Sequence, residues 1–383
     1  MAVPGAKSYH LLAQGYGNAA GIAAGQANPY FVRFASNPGT SVIEDALAQN
    51  PSFFSLWIGA NDALLYATSG GAGVDQTGNL DPTTYGFNDI SDPNVVAGAC
   101  DAILRALTAS GAKGVIANIP DINKIPYFTT VPFAALDPTN PAFGPQIPAL
   151  NAQFEQLNQV FAFLGVPERS IVFKTDAASA LVISDESLPN LSNEITATLI
   201  GGGLDAPTAT VLGLLYGQTR QANEGDRIVF PSSSIIGELN EEAFAFLQSL
   251  GVPAQTAGQL SVNGITYPLE DRWVLTPDEQ MAVTTAVDAY NQTITGLAAQ
   301  YDLAFVDMKA FYELVETEGI TLPDGSVVTD TYATGGGFSL DGVHPSPRGY
   351  SLVANEFIKA IEEKFGAVLP KSDPLAFKGL YIN

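Results

Sequence analysis

Short apolar runs bounded by Gly and Pro alternate along this chain with stretches whose apolar positions recur at helical spacing. Ser52 to Ile58 (Ser-Phe-Phe-Ser-Leu-Trp-Ile) is almost uninterrupted between Pro51 and Gly59, the pattern of a strand buried on both faces of a parallel sheet. A helix follows from Asp92-Pro93, with Asp as N-cap and Pro at the first helical position, to about Gly111. Gly114-Val-Ile-Ala-Asn-Ile-Pro is a second buried strand. Strand, helix and strand in this order imply a parallel α/β unit. The alternation resumes late in the chain. Thr276-Pro-Asp-Glu has capping-box spacing and opens a helix to about Ala299; Leu303-Ala-Phe-Val-Asp-Met is a third buried strand, and a helix from about Ala310 to Val315 follows. Pro347 opens a final helix whose apolar Leu352, Val353, Phe357, Ile358 and Ile361 recur at helical spacing.

Three stretches interrupt this pattern and read as insertions into a single domain spanning residues 1–383: a Gly-, Thr- and Asp-rich excursion at about 68–91, a Pro- and aromatic-rich loop at 120–148, and the block 180–275. Between them Leu150 to Leu164 has helical period and Ile171-Val-Phe-Lys is a short strand. Within the last block Arg227-Ile-Val-Phe is strand-like, and Val262-Asn-Gly-Ile is a hairpin signal, because Asn-Gly fits a type I′ turn. Asp324-Gly325 is a second hairpin turn, and Val42 to Leu47 a short helix. The N-terminus opens with a turn at Pro4-Gly5 and a loop containing Gly15, Gly17, Gly21 and Gly25. Ala2-Val-Pro-Gly has the form of a strand end entering a turn, so the expectation is a sequence that begins inside a domain.

Composition narrows the function classes. The net charge is -23, from 16 basic against 39 acidic residues, and a surface this acidic repels phosphate. Nucleic acid and anionic membrane surfaces are therefore poor partners. The one cysteine, Cys100, lies in an apolar helix-like run, as a buried structural thiol would; it rules out an internal disulfide. No apolar run reaches the roughly 18 residues that span a membrane. No cluster of His and Cys offers a zinc site.

The chemistry concentrates in two polar loops. There are only two histidines, His10 and His344, and His is the side chain best suited to trade protons near neutral pH. His344 follows Asp341 by three residues in Ser339-Leu-Asp-Gly-Val-His-Pro, a spacing that lets the carboxylate hold one ring nitrogen and leave the other for a substrate. The second loop, Gly59-Ala60-Asn61-Asp62, follows a buried strand. Ligands of open α/β sheets bind at the carboxyl ends of strands, where the Asn61 amide can face a developing oxyanion. Asp62 is expected to cap the segment that follows it, and His10 to be structural or to sit on a pocket rim.

Together these loops resemble the SGNH, or GDSL-type, hydrolases, in particular bacterial GDSL-like lipases or esterases with large insertions. Gly59-Ala-Asn61-Asp matches the family block that carries an oxyanion asparagine, and Asp341-Gly-Val-His344-Pro the block that carries the Asp and His of a Ser-His-Asp triad. Val3-Pro-Gly5-Ala looks like the block whose glycine donates a backbone N–H to the oxyanion hole. The resemblance implies a flavodoxin-like three-layer α/β/α sandwich and hydrolysis of carboxylic esters, with His344, Asp341, Asn61 and Gly5 in the site and no metal or organic cofactor. The family nucleophile is the Ser of a Gly-Asp-Ser-Leu-like block on the first strand, upstream of the glycine block. No Gly-Asp-Ser or Gly-Asn-Ser triplet occurs here, so the first strand and its serine are expected to be missing. Ser8, three residues after Gly5, lacks the sharp strand-to-helix turn that exposes a nucleophile.

The expected partners are small-molecule, lipid or acylated-carbohydrate esters, with no nucleic acid and no transmembrane segment. Two rivals stand beside the lipase or esterase reading: a carbohydrate O-acetyl esterase, and a non-catalytic binding or surface protein that keeps the fold without the serine. The acidic surface and the resemblance to exported bacterial lipases lean toward the periplasm, the outer surface or secretion.

Overall fold

Parallel strands cannot be joined by hairpins, so each of their connections must cross back over the sheet. The computed structural model, which describes residues 2–379, has this construction at its centre in a mixed α/β chain. Strands β1 (Phe53–Leu56), β2 (Lys113–Ala117) and β3 (Ala304–Val306) form a parallel sheet in the order β1-β2-β3. Its register pairs Phe53 with Lys113 and Leu56 with Ile116, then Val115 with Ala304 and Ala117 with Val306. After β1 comes α1 (Asn61–Thr68), and the crossover to β2 is completed by α2 (Pro93–Thr108). Asp92 caps α2 as its sequence implies, its side chain accepting from the Asn94 and Val95 amides. Cys100 is buried on α2, and burial with the nearby Asp62 charge pushes its thiol up to about 12, an inert group. Helix α3 (Pro277–Gln300) leads to β3, α4 (Met308–Thr317) follows it, and α5 (Pro347–Phe365) closes the fold.

The carboxyl ends of the strands are stitched by one residue. Asn118, just past β2, accepts from Trp57 Nε1 through its carbonyl at 3.0 Å and donates from its side chain to Asp307 Oδ1 at 2.8 Å. Its side-chain oxygen also accepts from the Lys309 amide at 3.0 Å. The Asn291 side chain of α3 makes a reciprocal pair with the Ile119 N–H and C=O, both at 2.8 Å. These bonds satisfy backbone groups that the sheet leaves open where its strands stop.

Burial of the first strand differs from the sequence expectation. Phe54 and Leu56 are buried, but Phe53 is 40% and Trp57 37% exposed. The reason is topological: β1 is an edge, with a neighbour on one side only among the described residues. Helix α5 covers the adjoining face incompletely. Leu352 is buried, while Val353, Phe357, Ile358 and Ile361 are only half-buried. The direction of α5 follows from two ring contacts. Phe53, at the start of β1, packs edge-on against Phe365 at the end of α5, and Trp57, past the end of β1, packs against Phe357 farther back in the helix. Helix α5 therefore runs antiparallel to the strands, and its N-terminus lies toward their carboxyl ends.

Residues 70–72 and 128–277 form a second compact unit. Its core holds Leu150, Phe154, Leu157 and Phe161 of the helix Ile147–Phe163, together with Phe173, Leu181 to Ile183 and Tyr216. Two antiparallel pairs brace it, Val182–Ser184 with Thr219–Gln221 and Arg227–Ile228 with Val274–Leu275. Two sequence expectations fail here for identifiable reasons. Residues 171–174 form no ladder, because side chains take the partner's place: Asn158 Oδ1 accepts from Ile171 N, Gln221 Oε1 from Val172 N and Asn151 Oδ1 from Phe173 N. Val262-Asn-Gly-Ile is not a type I′ hairpin. Gly264 has φ +74° but Asn263 does not adopt positive φ, and the Val262 carbonyl gathers the amides of Ile265, Thr266 and Tyr267. The hairpin at Asp324-Gly325, in the first unit, does form, pairing Ile320–Thr321 with Val327–Val328.

Arg220 is the electrostatic anchor of the second unit. Its guanidinium meets Asp185 at 2.6 Å and Asp226 at 2.6 and 2.8 Å, with 14% of its side chain exposed. Burial works against the charge, yet the two carboxylates more than offset it and raise the pKa. Removing the cation strands two buried carboxylates, so Arg220→Ala is expected to cost about 3–5 kcal/mol. Chemical unfolding in a Trp57→Phe background, where Trp273 reports on this unit, measures the loss. A change below about 1 kcal/mol would show that the network is solvated.

Candidate functional site

The Asp341–His344 loop is built by one carboxylate. Asp341 Oδ1 accepts from the Val343 and His344 amides, both at 2.9 Å, and from Ser339 Oγ at 2.7 Å. This Asx-type turn explains why Asp precedes Gly-Val-His. Gly342 has φ +71°, and a Cβ on it would sit 2.9 Å from the Tyr127 amide nitrogen, so no other residue fits easily. Ser339 N donates to the His344 carbonyl at 2.8 Å and closes the loop. Ser346 then caps α5, accepting from Gly349 N at 3.0 Å.

The second carboxylate oxygen is left for the imidazole. Asp341 Oδ2 lies 2.7 Å from His344 Nδ1. With Nδ1–H donating there, Nε2 carries a lone pair and is free to take a proton. Partial burial raises the Asp341 pKa, but the Ser339, His344 and Val343 hydrogen bonds outweigh it and bring the carboxyl down to about 2. Asp341 therefore stays ionised and holds the ring in the orientation of a general base. The pair is open to solvent, His344 63% and Asp341 50% exposed.

Asn61 and Gly5 form a second assembly. Asn61 opens α1, and its Nδ2 donates to the Ala6 carbonyl at 2.9 Å, so the Asn61 block grips the turn that contains Gly5. One Nδ2 hydrogen is spent on that bond, and among the described residues the other has no partner. Gly5 has φ +73°, with open space where a Cβ would stand. Ala6 N donates to Val3 O and Lys7 N to His10 Nδ1, while the Gly5 N–H has no acceptor among the described residues. The Gly5 N–H and one Asn61 Nδ2 hydrogen are thus donors of this assembly left open among the described residues. Asn61 follows β1 and His344 precedes α5, so both assemblies belong to the carboxyl end of the parallel sheet. No hydrogen bond joins them among the described residues.

Two further residues carry weight that sequence reasoning missed or misassigned. Asp62 does not cap its own helix: it is fully buried and accepts from Ser8 N at 2.8 Å and Ser8 Oγ at 3.0 Å. Burial raises its pKa against these bonds and the Lys7 charge. Lys7 is 1% exposed, its Nζ donating to the Asp89 carbonyl at 2.6 Å and the Gly86 carbonyl at 3.4 Å. It ties the Gly5 turn to the 73–91 excursion. That excursion is ordered rather than slack, because the Asp89 carboxylate collects Val74 N, Gly86 N and Gln76 Nε2. The apolar frame around Lys7 gave no hint of a buried ammonium. Ser8, tied to Asp62 and 1% exposed, is a structural hydroxyl, and no serine hydroxyl bonds to His344 among the described residues.

Among the described residues no metal-binding arrangement accompanies either assembly. An open cleft of about 620 Å³ lies in the second unit against Phe133, Glu168, Lys174 and Gln221, and contains none of the residues above. No helix of the described residues is long and apolar enough to cross a membrane. No family model, curated protein or solved structure matches the chain.

His10, expected to be structural or to sit on a pocket rim, packs among aromatic rings. Its ring stacks on Tyr16 at 4.9 Å, meets Tyr9 edge-on, and accepts the Lys7 N–H at Nδ1 at 3.1 Å. Burial first, and the Lys7 charge second, lower its pKa to about 4. Between that value and the ordinary one near 6.5, the unfolded chain binds a proton that the folded one refuses. Stability is therefore expected to fall as pH drops from about 6.5 to 4, by at most about 3 kcal/mol from this group. Comparing urea unfolding of the wild type and His10→Gln across that range measures it; an unchanged pH slope in the variant would remove His10 as the cause.

Proposed function

We propose that this protein is a serine ester hydrolase of the SGNH type, in which Asp341 and His344 are the orienter and base and Gly5 and Asn61 the oxyanion donors. The observation that carries the reading is the 2.7 Å contact of Asp341 Oδ2 with His344 Nδ1, which leaves Nε2 as an acceptor at the carboxyl end of a parallel sheet. The unpaired Gly5 N–H and the remaining Asn61 N–H support it. The nucleophilic serine belongs to a segment other than these residues, on a further strand beside β1. Support for that placement comes from the open β1 edge, the exposure of Phe53 and Trp57, and the incomplete cover of α5. Such a strand completes a flavodoxin-like sandwich.

In this reaction the serine oxygen forms a bond to the acyl carbon while His344 Nε2 takes the hydroxyl proton. Asp341 holds the Nδ1–H tautomer and stabilises the imidazolium that forms. The carbonyl oxygen becomes an oxyanion held by the Gly5 and Asn61 donors, one such donor being worth about 3–4 kcal/mol of barrier. Collapse breaks the ester C–O bond, and His344 returns the proton to the leaving alcohol. Water, deprotonated by the same nitrogen, then releases the acid. The substrates are carboxylic esters of lipid or acylated-carbohydrate type.

The test compares this chain with the gene product read from farther upstream. A fluorophosphonate probe is expected to label a serine in the longer protein and none in this chain. In the longer protein His344→Ala is expected to lower p-nitrophenyl butyrate turnover by about 10⁴-fold or more. Unchanged turnover would remove His344 from the mechanism. The exposed His344, which has no hydroxyl partner among the described residues, also favours a second reading, a binding protein that keeps the fold without chemistry. A longer protein that takes no label and turns over no ester selects that reading.

A further inference from the structure

Asn61 and Asp62 are consecutive at the start of α1, and both close on the same four-residue turn. Asn61 Nδ2 holds the Ala6 carbonyl at 2.9 Å, while the Asp62 carboxylate holds Ser8 at both its N–H, 2.8 Å, and its Oγ, 3.0 Å. Asp62 is fully buried and Ser8 and Lys7 each 1% exposed, so this side of the turn is sealed. Gly5 is half-buried with open space beside it. The same contacts leave the Gly5 N–H as an amide of the turn with no acceptor among the described residues. A buried carboxylate is costly without compensation. Here the compensation comes from Ser8, from the Ser91 side chain and, at longer range, from the Lys7 ammonium, whose own pKa burial lowers against the Asp62 and Asp89 charges.

We propose that Asp62 is the positioning residue of the oxyanion site, holding the Gly5 amide unpaired by clamping the far end of its turn through Ser8. The proposal rests on the hydrolase reading for the word oxyanion, and on geometry alone for the clamp. Asp62 touches no substrate. Its carboxylate bonds Ser8, has the Ser91 side chain beside it and is shut away from solvent, and the Lys7 charge offsets its field, so a developing oxyanion at Gly5 does not meet a bare negative neighbour.

The experiment uses the full chain labelled with ¹⁵N-glycine, its Gly5 resonance assigned by its loss in Gly5→Ala, and titrated with butyrate as a product carboxylate. In the wild type butyrate is expected to shift the Gly5 signal. Asp62→Asn replaces one acceptor oxygen by a donor that opposes Ser8 N–H. It is expected to move the unliganded Gly5 signal, speed its amide exchange at least tenfold and weaken the butyrate response at least tenfold. Gly264 in the second unit serves as the control for folding and should stay put. Should Asp62→Asn fail to fold, Ser8→Ala removes one of the two clamping bonds and is expected to give about a threefold change in the same direction. A Gly5 signal with wild-type position, exchange and butyrate response in the folded variant overturns the proposal. A wild type that ignores butyrate, with a Gly5 signal that still moves in Asp62→Asn, sinks the oxyanion assignment and leaves the clamp standing.

Discussion

The placement of the candidate groups depends on parallel pairing of three short strands. Antiparallel strands place successive loops at opposite ends of a sheet; parallel strands send every outgoing loop to one end. Here those loops lead to Asn61, Asn118 and Asp307, and the antiparallel course of α5 returns the chain so that His344 falls at the same end. Residues far apart in sequence thereby come to share one rim. Asn118 then fixes the rim: its side chain and carbonyl bond to elements that follow the other two strands, so the strand ends cannot splay independently. The candidate groups stand on a braced platform, which a constellation of donors must have if its geometry is to be held without reorganisation.

How much of this was legible in the sequence depended on how local each interaction is. The Asp341–His344 pair is made within four residues, so spacing and turn chemistry were enough to find it. Gly5 and Asn61 were visible as short blocks. The strands were found from their apolar runs and the helices from their caps, as with Asp92 on α2. What failed was long in range. Asp62 has its partner Ser8 54 residues away, so a carboxylate beside a helix start looked like a cap. Residues 171–174 have strand composition, but the amides of Asn151, Asn158 and Gln221 reached their backbone first. Asn263-Gly264 has hairpin composition, but the turn it makes places only the glycine at positive φ. In each case a tertiary contact outbid a local preference that was real but small.

Charge is handled in two ways in the two units. In the second, Arg220 faces two buried carboxylates directly, and its pair with Asp226 is bidentate. In the first, Lys7 has no direct ion pair among the described residues; carbonyl oxygens of Gly86 and Asp89 solvate its ammonium while Asp62 and Asp89 act through space. The second arrangement is looser in charge and stricter in backbone, because a carbonyl must be aimed where a carboxylate can rotate. It makes the conformation of the 86–89 segment a condition for keeping the N-terminal turn in place.

The open flank of β1 has a consequence for how the protein behaves in company. An edge strand presents a row of amides and carbonyls that is indifferent to the source of the next strand. Phe53, Phe54, Ser55, Leu56 and Trp57 include no charge and no proline, the usual deterrents to lateral pairing. The flank is therefore open to the equivalent strand of another copy. The concentration of that strand rises with the amount of protein. Crowding favours association along this flank.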